Sequence, residues 1–142
     1  MSARKHILVV EDDIDIAQML LLLFDMEGYS ASMVRTGADA LKLLLPCMDA
    51  SIAGATMVEA VPELCPDLIL LDLQLPDMNG EEIIHRLSNI SLAAPPVIVL
   101  TARRQQAAEE VALEIDAAGM FLKPFEIQSL LDQIELVLAR TA

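Results

Sequence analysis

Short aliphatic runs alternate along the chain with longer segments whose apolar positions recur with a helical period. Most of the runs stop abruptly at a charged or hydroxyl side chain. This pattern is typical of strands that are buried on both faces and end at the edge of a parallel sheet. The runs predict five strands, at residues 6–10, 29–34, 68–72, 97–101 and 120–123.

Helical segments follow these strands and are marked by residues that begin or end helices. Asp15 is expected to cap the first helix and Gly28 to end it. Thr36 and Gly37 open the second helix, which Pro46 should disturb or end. The predicted helices cover residues 16–27, 36–45, 81–87, 105–118 and 127–139. Five successive β–α units predict a doubly wound, three-layer α/β domain with a five-stranded parallel sheet between two layers of helices.

The composition supports one folded domain and excludes several classes of function. The 142 residues are 55% hydrophobic and carry 22 acidic against 9 basic side chains, a formal net charge of −13. So acidic a surface repels phosphate backbones and anionic lipid, and we expect no direct nucleic-acid binding and no membrane binding. No apolar run approaches the ~18 residues of a membrane span, and the N-terminus does not have the pattern of a secretory signal. A cytoplasmic location, with Cys47 and Cys65 as reduced thiols, is therefore expected.

Polar side chains end four of the predicted strands. Because the carboxyl ends of parallel strands meet at one edge of a sheet, these side chains should lie together. Carboxylates about 4 Å apart repel by ~4 kcal/mol at an effective dielectric of 20, so the cluster favours a bound cation, Mg²⁺ or alternatively Mn²⁺. Acids, a hydroxyl and an ammonium together suit phosphoryl chemistry, with Asp72 as the candidate acceptor. The cluster comprises Glu11, Asp12, Asp13, Asp72, Thr101 and Lys123.

Each of these residues also has a purely structural interpretation. A single Asp after a strand is usually a helix cap or a solvated loop residue. Lys123 could equally be a surface lysine, and Thr101 could cap the helix that follows it. The joint placement of four polar strand ends favours the functional interpretation of the set.

Four ordered motifs resemble the receiver domain of two-component response regulators, and the resemblance covers nearly the whole chain. The motifs are ILVVEDD at 7–13, PDLILLDLQLPDMNG at 66–80, VLTA at 99–102 and KPF at 123–125. The spacing from Asp72 to Thr101 to Lys123 is also similar to that of the family. The resemblance implies a flavodoxin-like (βα)5 fold and a single receiver domain over residues 1–142, with a core of about 5–140.

The resemblance further implies that Asp72 accepts a phosphoryl group from the phosphohistidine of a sensor histidine kinase or phosphotransfer protein. Asp12 would hold Mg²⁺ directly and Glu11 through water, with Asp72 and the backbone carbonyl of Gln74 as further ligands. Asp13 ranks below Asp12 as a ligand. Such a domain is not an enzyme with an external product, since it catalyses only its own phosphotransfer and dephosphorylation.

A conformational switch is also implied by the resemblance. Thr101 would hydrogen-bond the phosphoryl group and move when it arrives, while Lys123 would pair with it. The family has Tyr or Phe three residues before the lysine, where this chain has Met120. The neighbouring Phe121 should face the other side of the sheet. The family commonly has a cis peptide bond at the position of Lys123–Pro124.

Two further positions and an insertion also bear on this resemblance. Gln74 and Arg103 lie two residues after the aspartate and the threonine, and the resemblance implies that side chains at these positions tune the hydrolysis of the acyl phosphate. Surplus residues fall at 46–62, where we expect an added helical turn or two. A tolerated surface insertion is favoured over a docking surface.

The output of the switch stays open at this point. Phosphorylation would change binding to a downstream effector protein or domain, a homodimer is one option, and the chain could act alone or belong to a longer regulator. A phosphatase of the haloacid dehalogenase type is the less favoured enzyme alternative, because it needs a second Asp where Gln74 stands. A receiver-like scaffold without phosphorylation is the other alternative, which Met120 and the insertion leave open.

Overall fold

Five strands form one sheet in the computed structural model, which describes residues 4–48, 65–88, 95–102 and 117–140. All neighbouring strands are parallel, in the order β2-β1-β3-β4-β5. This is the flavodoxin-like order, with its reversal point between β1 and β3. The strands are β1 His6–Val10, β2 Ser30–Val34, β3 Leu68–Asp72, β4 Val97–Thr101 and β5 Gly119–Leu122. The five predicted strands are confirmed, with β2 beginning one residue later and β5 shifted by one residue.

Four helices lie within the described ranges. They are α1 Ile14–Met26, α2 Gly37–Met48, α3 Gly80–Ser88 and α4 Ile127–Arg140. None of these four is long and apolar enough to cross a bilayer. The helix predicted at 105–118 falls almost wholly outside the described residues. Its last two positions, Ala117 and Ala118, are described and are not helical.

The sheet separates two hydrophobic cores, because successive side chains of a strand point to opposite faces. Ile7 and Val9 of β1 pack in the core that holds α1 and α4, whereas Leu8 and Val10 pack in the core that holds α2 and α3. Every residue of β3 and β4 is buried. Since both faces are covered, these strands are aliphatic up to their last residues, Asp72 and Thr101, and each buried Leu or Ile contributes about 1.5–3 kcal/mol. The predicted three-layer architecture is confirmed.

The first turn of α1 corrects the predicted helix cap. Asp13, not Asp15, is the N-cap: its Oδ1 accepts hydrogen bonds from the backbone N–H groups of Asp15 at 3.0 Å and Ile16 at 3.2 Å. Asp15 instead lies in the first turn, where its charge interacts favourably with the helix dipole. At the other end of α1, Gly28 has a φ of 92°, the left-handed conformation in which helices often end, as predicted.

The end of α2 corrects two further expectations. The helix continues past Pro46 to Met48, so the proline removes its own backbone hydrogen bond without ending the helix at that position. Cys47 and Cys65 form a disulfide rather than staying as thiols. The last turn of α2 lies beside the start of β3, which places the two Cα atoms 5.6 Å apart, within the range of a disulfide. Of the predicted insertion, residues 46–48 belong to α2 and residues 49–62 lie outside the described part of the chain.

Candidate functional site

The structure brings the polar strand ends together at the carboxyl edge of the sheet. In the register of the sheet, Asp72 lies beside the penultimate residue of β4, and Thr101 lies beside the last residue of β5. Glu11 directly follows β1, and Lys123 directly follows β5. Four strands that are remote in sequence therefore deliver their terminal side chains to one pocket.

Three acids form the centre of this pocket. Glu11, Asp12 and Asp72 each offer a carboxylate oxygen, and these oxygens all lie within 4.8 Å of one another. Glu11 and Asp72 are buried, at 1% and 3% exposure, while Asp12 is the most exposed of the three. Asp13 stands apart because its carboxylate caps α1. At this separation each pair of charges repels by roughly 3–4 kcal/mol at an effective dielectric of 20, so the donor set fits a hard divalent cation such as Mg²⁺.

Lys123 compensates part of this negative charge. Its Nζ lies 2.6 Å from Glu11 Oε2 and 3.1 Å from Asp72 Oδ2. Burial alone would lower the pKa of Lys123, but the attraction of Glu11 and Asp72 outweighs it and raises that pKa. The ammonium therefore stays charged, and one positive charge faces three carboxylates.

Glu11 carries the electrostatic cost of the arrangement. Burial raises its pKa from the usual 4.5 to about 7, Lys123 partly opposes that rise, and the neighbouring Asp72 adds to it. Its Oε1 accepts a hydrogen bond from the backbone N–H of Asp13 at 3.1 Å. A cation held by Glu11 would compete with a proton for this carboxylate, because a metal ligand has to be deprotonated.

The β3–α3 loop, residues 73–79, holds Asp72 in a defined orientation. The backbone N–H of Gln74 donates to Asp72 Oδ1 at 2.9 Å, and Gly80 N–H donates to the carbonyl of Leu73 at 2.9 Å. A Cβ on Gly80 would lie 2.7 Å from the carbonyl oxygen of Asp72, so only glycine permits this close approach. The loop thus turns back immediately after the strand and keeps the backbone of Gln74 beside the pocket.

The two residues of the predicted switch lie on one face of the sheet. Thr101 is fully buried, and Met120 is half-buried and packs in the core that holds α2 and α3. Met120 is paired with Val99, two residues before Thr101 on the adjacent strand. Phe121 packs in the opposite core, as strand alternation predicts. No aromatic side chain takes the place of Met120 on the Thr101 face of β5.

Two residues near the pocket were missed by the sequence analysis. Arg35 Nη2 donates to the backbone carbonyl of Asp12 at 3.2 Å, and Asp77 accepts hydrogen bonds from the start of α2. Together with Thr36 and Pro76, Arg35 and Asp12 line an open cleft of about 280 Å³ beside the acids. Asp77 carried a weak signal as a turn residue, whereas no pattern pointed to Arg35. Arg103 lies outside the described residues, and the Lys123–Pro124 peptide bond is cis, as the resemblance implied.

Comparisons with known proteins identify the family. The model of the response regulator receiver domain matches residues 47–135, a stretch that contains Asp72, Thr101 and Lys123 and begins after Glu11 and Asp12. The uncharacterized transcriptional regulatory protein YkoG of Bacillus subtilis is 36% identical over 133 residues, 94% of this chain and 50% of its own length. The DNA-binding response regulator MtrA of Mycobacterium tuberculosis is 34% identical over 139 residues, 98% of this chain and 53% of its own.

A solved structure has the same fold. A CheY-like response regulator receiver domain protein from Methanospirillum hungatei superposes with a TM-score of 0.75, at 24% identity, over 97% of this chain and 96% of that one. This likeness shows the fold, while the family model and the relatives connect the fold to signalling. The chain spans about half the length of the two regulators that it matches. It belongs to the response regulator receiver domain family and is a regulatory domain of two-component signalling.

Proposed function

We propose that the chain is a phosphorylation switch in which Asp72 accepts a phosphoryl group from the phosphohistidine of a sensor histidine kinase or phosphotransfer protein. The observation that carries the proposal is the position of the Asp72 carboxylate. It lies between Lys123 Nζ at 3.1 Å and two further acids, with oxygens within 4.8 Å. Neither a scaffold nor a surface loop requires this concentration of charge, which is costly until a ligand balances it.

In the proposed transfer, a carboxylate oxygen of Asp72 attacks phosphorus and forms the acyl phosphate bond. The phosphorus–nitrogen bond of the donor breaks, and its electron pair returns to the imidazole nitrogen, which takes up a proton. Lys123 stabilises the negative charge on the phosphoryl oxygens from the side on which it already contacts Asp72. Gln74 N–H fixes the orientation of the attacking carboxylate through its bond to Oδ1.

The acids of the pocket would hold Mg²⁺, with Mn²⁺ as an alternative. The proposed ligands are Asp12, Asp72, the backbone carbonyl of Gln74, and Glu11 through water. The ion would supply charge neutralisation for the incoming phosphoryl group. Glu11 and Lys123 would form the inner wall of the site, since Glu11 is 1% exposed.

The response to phosphorylation would pass through Thr101 and Met120. The acyl phosphate gives the Thr101 hydroxyl a new acceptor, and a shift of Thr101 would open space on the face where Met120 packs. A methionine can follow this movement because it is unbranched and flexible. Gln74 and Arg103 are proposed to tune the hydrolysis of the acyl phosphate, which the domain would catalyse on itself. A phosphatase or a scaffold without phosphorylation is not favoured, because the family match and the cluster of Glu11, Asp12 and Asp72 support the switch.

The wider setting is proposed as well. Residues 1–142 would form one receiver domain, with the 46–62 segment as an insertion, and would signal through an effector protein or domain or through a homodimer. MtrA is a DNA-binding response regulator, but with a net charge of −13 this segment itself should not contact nucleic acid. Kinase-derived phosphoryl groups originate from ATP, so we place the domain in the cytoplasm.

Intact-mass measurement tests the proposal. The full chain is incubated with Mg²⁺ and acetyl phosphate, alongside Asp72→Asn and the matched control Asp67→Asn, which alters an acid just before the opposite end of β3. We expect one added phosphoryl group on the native chain and on Asp67→Asn, and none on Asp72→Asn. Labelling of Asp72→Asn, or of no protein at all, would overturn the assignment.

A further inference from the structure

The β3–α3 loop is fastened to a helix that contributes no side chain to the pocket. Asp77 Oδ1 accepts a hydrogen bond from the backbone N–H of Gly37 at 2.8 Å, and Oδ2 accepts one from Ala38 at 2.9 Å. One carboxylate from the loop thus satisfies two N–H groups at the start of α2, which otherwise lack helical partners. These bonds hold the pKa of Asp77 below its usual range, so the carboxylate is ionised at neutral pH.

Steric fit at the same junction is tight. A Cβ on Gly37 would overlap Cγ and Sδ of Met78, so loop and helix touch with no space for a side chain at Gly37. Residues 77 and 78 are therefore held by α2 through both hydrogen bonding and contact.

The other attachments of this loop lie inside the pocket. Gln74 N–H donates to Asp72 Oδ1, and Gly80 N–H donates to the carbonyl of Leu73, directly beside the phosphoacceptor. Gln74, whose carbonyl is a proposed metal ligand, takes part in the first of these attachments. Asp77 holds the opposite side of the loop through its hydrogen bonds to Gly37 and Ala38. A change at Asp77 should therefore alter the backbone position of Gln74, which is only three residues away.

We propose that Asp77 is a positioning residue, which clamps the β3–α3 loop to α2 and thereby fixes the backbone of Gln74 for Mg²⁺ binding. This inference rests on the proposed function, because it assigns Asp77 to the metal site described there. Asp77 acts through Gln74 and does not itself touch the metal or the phosphoryl group. Residues that orient metal ligands from outside the ligand set typically change metal affinity by about 10-fold or more when removed.

A purely structural role makes a different prediction. If Asp77 only capped α2, its removal would lower the stability of the fold and leave Mg²⁺ affinity unchanged in the folded protein. Magnesium affinity, measured at a temperature where every variant is folded, therefore separates the two roles.

The test is calorimetric titration of the full chain with MgCl₂, with thermal melting of each variant as the check on folding. We expect Asp77→Ala to weaken Mg²⁺ binding about 10-fold. Asp77→Asn should fall between Asp77→Ala and the native chain, because an amide can accept with only one of its two terminal atoms. Asp39→Ala is the matched control, since it removes an acid from the same helix turn but not from the loop, and it should change affinity less than about twofold.

A second variant keeps the test valid if Asp77→Ala fails to fold. Gly37→Ala raises the helix propensity of α2 but forces Met78 to move, so it should weaken Mg²⁺ binding, and thermal melting checks that the variant is folded. Gly37→Ala combined with Met78→Ala removes the overlap and should restore the affinity. Native affinity in both Asp77→Ala and Gly37→Ala would overturn the clamp while leaving the proposed function intact. Failure of the native chain to bind Mg²⁺ would instead overturn the metal site itself.

Discussion

The two edges of the sheet treat their polar groups in opposite ways. At the amino edge, His6 Nδ1 lies 2.7 Å from Ser30 Oγ, and its Nε2 lies 2.9 Å from Ser32 Oγ. The backbone N–H of His6 donates to Asp67 Oδ2 at 2.8 Å. Each of these groups has a partner of matching polarity on the next strand or loop, and the cluster needs no ligand.

At the carboxyl edge the charges do not balance. Glu11, Asp12 and Asp72 face the single ammonium of Lys123, and burial together with the neighbouring Asp72 raises the pKa of Glu11 to about 7. The polar groups at the amino edge of the sheet are thus hydrogen-bonded to one another, whereas the acids at the carboxyl edge carry excess negative charge. The imbalance, rather than polarity or burial alone, separates the functional edge from the structural one.

The largest expected effect comes from deepening the imbalance at the carboxyl edge. Lys123→Ala removes both ion pairs and leaves Glu11 and Asp72 facing each other, so the free energy of unfolding should drop by about 4 kcal/mol at pH 8. Urea denaturation measures this loss. As a control, Arg86→Ala removes the exposed pair with Glu82 and should cost less than about 1 kcal/mol. Equal losses in the two variants would contradict the comparison.

A change near the amino edge should alter stability without altering the site. Reduction of Cys47–Cys65 opens a loop whose ends are 18 residues apart in sequence. The gain in chain entropy of the unfolded state should lower the free energy of unfolding by about 3 kcal/mol. Melting with and without dithiothreitol should show this loss in the native chain and not in a Cys47→Ser, Cys65→Ser double variant. Labelling by acetyl phosphate should proceed equally in both redox states, because the disulfide joins the far ends of α2 and β3. Loss of labelling on reduction would mean that the two edges are coupled.

A smaller effect should appear as a pH dependence of stability in EDTA. Folded Glu11 binds a proton up to about pH 7, whereas the unfolded carboxyl releases it near 4.5, so the folded state holds more protons between these values. The unfolding free energy should therefore decrease by about 2 kcal/mol as pH rises from 5 to 7. Glu11→Gln should remove this slope. Saturating Mg²⁺ should oppose it, because the ion binds the deprotonated form. Stability that rises over this range in EDTA, beyond the rise in Glu11→Gln, would reverse the assigned sign.

Sequence patterns predicted the parts of this molecule that topology forces. Once β3 and β5 are parallel strands of the same sheet, Asp72 and Lys123 have to lie at the same edge, whatever sequence lies between them. The aliphatic runs and their polar ends were therefore enough to predict both the fold and the candidate site. Contacts between segments that are distant in sequence, and that the strand order does not force, could not be predicted in this way.

Three features illustrate that limit. Cys47 pairs with Cys65 only because the last turn of α2 lies beside the start of β3, a distance that sequence separation does not encode. Asp77 reaches across to the start of α2, 40 residues earlier for Gly37, although its neighbours predicted no more than a turn. The cap of α1 is Asp13 rather than Asp15: both are of a residue type that caps helices, and the exact start of the helix decides between them. The role of Arg103 and the helix over 105–116 stay predictions.

The covalent link between Cys47 and Cys65 has one more consequence. The disulfide closes a covalent loop from Cys47 to Cys65. A protease that cuts the backbone once between these two residues therefore cannot release either half of the chain. The amino-terminal part, with Glu11 and Asp12, would stay attached to the part that carries Asp72 and Lys123. The nicked protein would migrate as one species in a non-reducing gel and as two after reduction. This loop is therefore the natural place to split the domain while its halves stay together.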